Sequence, residues 1–130
     1  MRLEKLPFFM HAVIETAAGL SFIVRPEGQL PGCTPAAKLI LRQYGGLLLA
    51  SSILCIIIIA DSSLNSATTR LVAAALGSYH AWPCYRALVR IQDEAESRTR
   101  GKPLLGGPPV HLLVHVVCLT SFLYLAIAEI

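Results

Sequence analysis

Four long apolar runs, separated by polar or Pro/Gly-rich segments, organise this chain. They cover residues 7–24, 39–60, 71–89 and 108–128. A helix needs about 20 residues to cross the hydrocarbon of a bilayer, within a range of about 17–25, and each run meets that length. The expected fold is therefore all-α: a polytopic membrane protein, a four-transmembrane-helix bundle forming one membrane domain over residues 1–130. The third run is the least apolar, since it carries Tyr79, His80, Tyr85 and Arg86. The first has the basic start of a signal peptide, but Glu15 interrupts its apolar stretch where a signal sequence wants about 7–15 unbroken apolar residues. It is read as a retained first helix.

The connecting segments fit this layout. "RPEGQLPGCTP" breaks helices and predicts a structured loop or re-entrant turn. "DSSLNSATT" predicts a short polar turn with Ser or Thr available to cap the third helix. "IQDEAESRTRGKPLLGGPP" predicts a helical extension followed by a loop.

Charge then orients the helices. With four crossings, Arg2, Lys5 and Arg70 share one side, whereas Arg25, Lys38, Arg42, Arg86, Arg90, Arg98, Arg100 and Lys102 share the other. The side with eight basic residues is expected in the cytosol and the side with three outside it, which makes both termini non-cytosolic; the endoplasmic reticulum is the expected membrane. Composition agrees: 55% of the 130 residues are hydrophobic, only 15% are charged, and the mean hydropathy is +0.62. Soluble domains lie near 45–50% and about 25%. The net charge of +3 is accounted for by basic residues facing anionic headgroups, and nucleic acid is not an expected partner. The four cysteines lack CxxC or zinc-knuckle spacing, and Cys55, Cys84 and Cys118 fall within apolar runs as small core residues.

Against this background the ionisable residues within the runs stand out. Glu15, His80 and His115 lie near the middle of the first, third and fourth runs, within about one helical turn of a common depth. His11 lies one turn from Glu15 on the same face, and His111 one turn from His115. Ionisable groups at mid-membrane cost a few kcal/mol and mark functional cavities. For each, a plainer role exists: His111 as an interfacial residue, His80 as a bond between helices. Glu15 must be neutralised or paired. The i,i+4 pairs His11/Glu15 and His111/His115 have ligand spacing, but no second carboxylate supports a di-iron site, so no metal or other cofactor is expected. In "GSYHAWPCYR", Pro83 frees the carbonyl of Tyr79, while Tyr79 and Trp82 offer rings that could line a ligand pocket. Arg86 and Arg42 are expected to snorkel toward headgroups, and Gly45 and Gly46 to permit close helix contact.

The mid-membrane carboxylate of the first helix, "RQYGGLLLASSIL" opening the second and "GSYHAWPCYRAL" in the third resemble the small four-helix DoxX-like membrane proteins. The chain is also similar in size and layout to small integral membrane proteins of fungal secondary-metabolite pathways. This resemblance implies a four-helix fold and a lipophilic small-molecule substrate, and transfers no catalytic residue.

Two functional classes follow. One is an intramembrane isomerase or cyclase acting on a terpenoid, sterol or polyketide by general acid–base chemistry. Glu15, His80 and His115 would be its catalytic groups, and His11, Tyr79, Trp82 and His111 would bind substrate. Low-dielectric surroundings favour the neutral carboxylic acid and the neutral imidazole, so Glu15 could donate a proton and a histidine withdraw one. The other is a non-catalytic subunit of a membrane enzyme or a small-ligand carrier, either of which could form a homo-oligomer.

Overall fold

All four apolar runs are helical in the computed structural model, which describes residues 3–61, 66–97 and 107–128. A 3-10 turn, Leu3–Lys5, leads into α1 (Leu6–Val24); α2 (Pro26–Gln29) is a single turn; α3 (Pro35–Ala60), α4 (Ser66–Ser97) and α5 (Gly107–Ile127) are long. No strand occurs among the described residues, so the all-α expectation holds. Local chemistry sets the helix starts. Prolines open α1, α2 and α3, where a missing N–H costs nothing, and the Thr34 hydroxyl accepts a bond from the Ala37 N–H at 3.2 Å. Gly32 and Gly107 take φ of 72°, a left-handed conformation that favours glycine, before α3 and at the entry to α5.

α3 begins four residues before its apolar run, and α4 extends the third run at both ends, passing uninterrupted through Pro83. Three helices, α1 with its preceding turn, α3 and α5, are long and apolar enough to cross a membrane. α4 is not among them, because its histidine, tyrosines and arginines dilute the apolar stretch. Residues 62–65 of the polar turn, and Arg2, Arg98, Arg100 and Lys102 of the basic count, lie outside the described residues.

The chain forms two compact units, Met1–Leu64 and Asn65–Ile130, each built on an antiparallel helix pair. In the first, α1 buries Phe8, His11, Ala12, Glu15, Gly19 and Phe22, and α3 buries Gly45, Leu48, Ser52, Cys55 and Ile58. Steps of three and four residues keep each stripe on one helix face, as in a coiled-coil seam. Gly19 and Gly45 mark the closest approach: a Cβ built on Gly45 would lie 2.7 Å from the Gly19 carbonyl oxygen. Gly46, by contrast, has nothing within 4 Å of such a Cβ, so Gly45 alone of this pair serves the contact. In the second unit, Ala73, Leu76, His80, Cys84 and Ala87 of α4 and His115, Cys118, Phe122 and Leu125 of α5 are buried. Gly77 lets Phe122 pack close, since an added Cβ would stand 3.1 Å from the Phe122 Cβ.

Basic side chains close the helix ends. Lys5 Nζ donates to the carbonyls of Ile59 at 2.7 Å and Asp61 at 3.2 Å, at the end of α3. Arg42 Nε donates to the Ile23 carbonyl at the end of α1, at 3.3 Å, and Arg70 Nε to the Ala126 carbonyl at the end of α5, at 3.0 Å. The last carbonyls of a helix have no partner within it and carry partial negative charge. Each cation therefore satisfies an acceptor on the helix beside its own.

Candidate functional site

The second unit brings two of the expected catalytic residues together. His80 Nδ1 and His115 Nδ1 are 2.8 Å apart, and the residues are only 0% and 3% exposed. A nitrogen–nitrogen contact this short needs one proton between the two atoms. With both rings neutral, one carries its proton on Nδ1 and the other on Nε2, so the pair holds complementary tautomers. A donor and an acceptor of similar basicity thus sit side by side in an apolar seam. The flat face of Phe122 stacks on His80, with ring centroids 5.8 Å apart and an interplanar angle of 19°, which limits imidazole rotation.

Two further expected residues join this cluster. The half-buried Tyr79 meets His80 edge-on, with centroids 5.1 Å apart, and the exposed His111 meets His115 at 4.3 Å. Trp82 does not join it. Two positions beyond His80 on a 3.6-residue helix, it points away from the buried stripe and is 71% exposed.

In the first unit, His11 and Glu15 lie in the α1 seam, 0% and 1% exposed. His11 Nε2 lies 3.0 Å from the Ser51 hydroxyl, which itself donates to the Leu48 carbonyl at 2.8 Å. Because the hydroxyl hydrogen is engaged there, His11 Nε2 must be the donor, which assigns its tautomer. Ser52 likewise donates to the Leu48 carbonyl, at 3.0 Å. Glu15 follows one turn along the stripe, between the His11–Ser51 bond and the Gly19–Gly45 crossing, and within electrostatic reach of Cys55.

Sequence reasoning missed Ser51 and Ser52, whose hydroxyls are hidden within an apolar run. Two adjacent serines in the middle of "LLLASSIL" were the available signal. It also treated Lys5, Arg42 and Arg70 as markers of topology, although each caps a helix.

On the loop side of the first unit, Glu27 pairs with Lys38, and Gln29 Nε2 donates to the Ser21 hydroxyl at 2.8 Å. The Glu27 carboxyl is held below the usual carboxylate range, chiefly by its hydrogen bond with Lys38 and then by a backbone N–H. These contacts tie the α2 segment to both neighbouring helices.

Comparison with known protein families, with characterised proteins and with solved structures gave no match.

Proposed function

We propose that this chain is a four-helix membrane enzyme that moves protons on a lipophilic small molecule, as an isomerase or cyclase of terpenoid, sterol or polyketide chemistry. The supporting observation is the buried His80–His115 contact at 2.8 Å. Two imidazoles sharing a proton can give one up and accept one with little rearrangement, as acid–base catalysis requires. Such a pair is costly in an apolar seam and more than helix packing needs, since a leucine pair could fill the space. In this reading the histidine pair is the base and Glu15 the general acid. The rings of Tyr79 and His111 flank the pair edge-on.

The topology proposed with it is four crossings, with both termini non-cytosolic, in the endoplasmic reticulum. Three long apolar helices and the eight-to-three distribution of basic residues support it.

The test is turnover by the purified protein alone, offered lipophilic candidates in D2O. An acid–base isomerase or cyclase incorporates solvent deuterium into product, which mass spectrometry reads directly. Glu15→Gln preserves shape and removes the transferable proton, so turnover is expected to fall about 10²-fold or more with little change in thermal stability. A stable and fully active Glu15→Gln protein would remove Glu15 from the mechanism. Turnover that needs a second protein would favour the subunit reading.

A further inference from the structure

The first unit holds a buried chain of hydrogen bonds that runs in one sense only. The Ser51 hydroxyl donates to the Leu48 carbonyl at 2.8 Å, so its oxygen is the acceptor for His11 Nε2 at 3.0 Å. With its proton on Nε2, a neutral His11 carries a lone pair on Nδ1. The chain thus leads from His11 through Ser51 to a backbone carbonyl of α3, and it presents an acceptor at its α1 end. Glu15 lies four residues on, along the same buried face of α1. Side chains of a helix lean toward its N-terminus, which carries the Glu15 carboxyl back over the turn that holds His11. A ring nitrogen of His11 and a carboxyl oxygen of Glu15 lie within 4.8 Å of each other, and both residues are buried. Since Nε2 is engaged with Ser51, Nδ1 is the nitrogen that can accept from Glu15.

We infer that His11 is the positioning residue for Glu15: its Nδ1 accepts the acid proton of Glu15, and Ser51 locks the tautomer that makes this possible. Turning the end of the Glu15 side chain, whose last torsion is broad, closes the gap to hydrogen-bond distance. A protonated carboxyl in an apolar seam needs an acceptor for its hydrogen, and the side chains of Phe8, Ala12 and Leu48 along this seam offer none. A bond between helices would be met by His11 and Ser51 alone; it would not call for a carboxyl one turn away. This role of His11 deepens the acid–base reading, on which its catalytic meaning rests. His11 then does not touch substrate. It holds the proton that Glu15 transfers and sets which carboxyl oxygen carries it.

The test needs no substrate. The full chain is placed in phosphatidylcholine nanodiscs, with carbon-13 in its glutamate carboxyls and nitrogen-15 in its four histidines. Infrared difference spectra against Glu15→Gln isolate the Glu15 carbonyl stretch, and nitrogen NMR against His11→Phe isolates the His11 signals. Glu15 should show a single carboxylic-acid band, and His11 one protonated Nε2 and one bare, hydrogen-bonded Nδ1. His11→Phe, which keeps the ring volume, should shift the Glu15 band upward in frequency, as loss of a hydrogen bond does. Glu15→Leu should move the Nδ1 resonance to that of an imidazole nitrogen outside any hydrogen bond. Ser51→Ala leaves both partners in place but frees Nε2, so a second tautomer with its proton on Nδ1 should appear, together with a second Glu15 band. Melting curves verify that each variant is folded. An ionised Glu15 in the wild-type protein, a His11 protonated on Nδ1, or a Glu15 band that His11→Phe leaves in place would each overturn the assignment. Turnover in D2O tests the acid–base reading separately, so failure of one is distinguishable from failure of the other.

Discussion

The backbones of Gly19 and Gly45 cross so closely that a methyl group on either would meet the other's carbonyl oxygen, at 2.9 Å from Gly19 and 2.7 Å from Gly45. Backbone cannot yield as a flexible side chain can, so α1 and α3 would have to separate. Gly19→Ala and Gly45→Ala are each expected to destabilise the first unit by about 1–3 kcal/mol, the usual cost of overpacking. Gly46→Ala should be neutral or slightly stabilising, since its Cβ meets open space and alanine favours helix. Thermal unfolding of the three variants in one detergent checks the order; equal losses would refute the crossing.

The lysine and arginine caps predict local rather than global effects. Lys5→Ala should loosen the last turn of α3, and Arg70→Ala the last turn of α5, each costing about 0.3–1 kcal/mol as cations at helix C-termini do. Hydrogen exchange should speed up at amides near Ile59 and near Ala126 respectively, with the helix centres unchanged. If those ends exchange at the wild-type rate, the bonds are incidental.

The histidine pair should show strong coupling. His115→Phe removes one partner and leaves a buried imidazole nitrogen to be satisfied elsewhere, at a cost of about 1–3 kcal/mol. Replacing both residues by apolar ones should recover part of that loss, because no polar atom of the pair then remains buried. A double-mutant cycle on melting measures the coupling, and turnover should be lost in all three variants. A coupling near zero would contradict the shared proton.

Legibility from sequence followed the strength of the physical signal. Apolar run length alone disclosed the helices, because hydrocarbon thickness leaves few alternatives, and Glu15 and the histidines could be picked out since lipid penalises them. The rotation of each helix was hidden. That His80 faces His115 while Trp82 faces outward depends on a seam angle that the sequence does not write, because α4 carries large apolar side chains on its exposed face and a histidine on its buried one. Helix ends were blurred for a related reason. α4 runs on through "RIQDEAES" because those residues are good helix formers, whereas the apolar run stops where lipid contact does. The roles of Lys5 and Arg70 depend on which helix end lies beside them, and charge counting carries no such information.

pH enters through Glu27. Its carboxyl pKa is depressed by the bond with Lys38, so the pair's contribution is fully present above the unfolded value. It is lost as pH falls through the lower, folded value. Hydrogen exchange in residues 26–38 should therefore be flat from neutral pH down to about pH 5, once corrected for intrinsic rates, and protection should fall only below the ordinary carboxylate range. Glu27→Gln should abolish that acid step and leave the α1–α3 seam intact. Loss of protection already near pH 6 would point to another group.

The caps at the two ends of the first unit also act as a ruler. From Arg42, anchored at the end of α1, to Ile59, where Lys5 is anchored, α3 rises about 26 Å at 1.5 Å per residue. Neither cation can shift toward thicker hydrocarbon without surrendering the carbonyl it holds. A bilayer core of about 27 Å, like that of the endoplasmic reticulum, accommodates this spacing almost unchanged. A sterol-rich membrane of about 32–33 Å would have to thin around the protein. If α3 crosses a bilayer as the proposed topology has it, hydrocarbon thickness by itself would favour the thinner membrane for this chain.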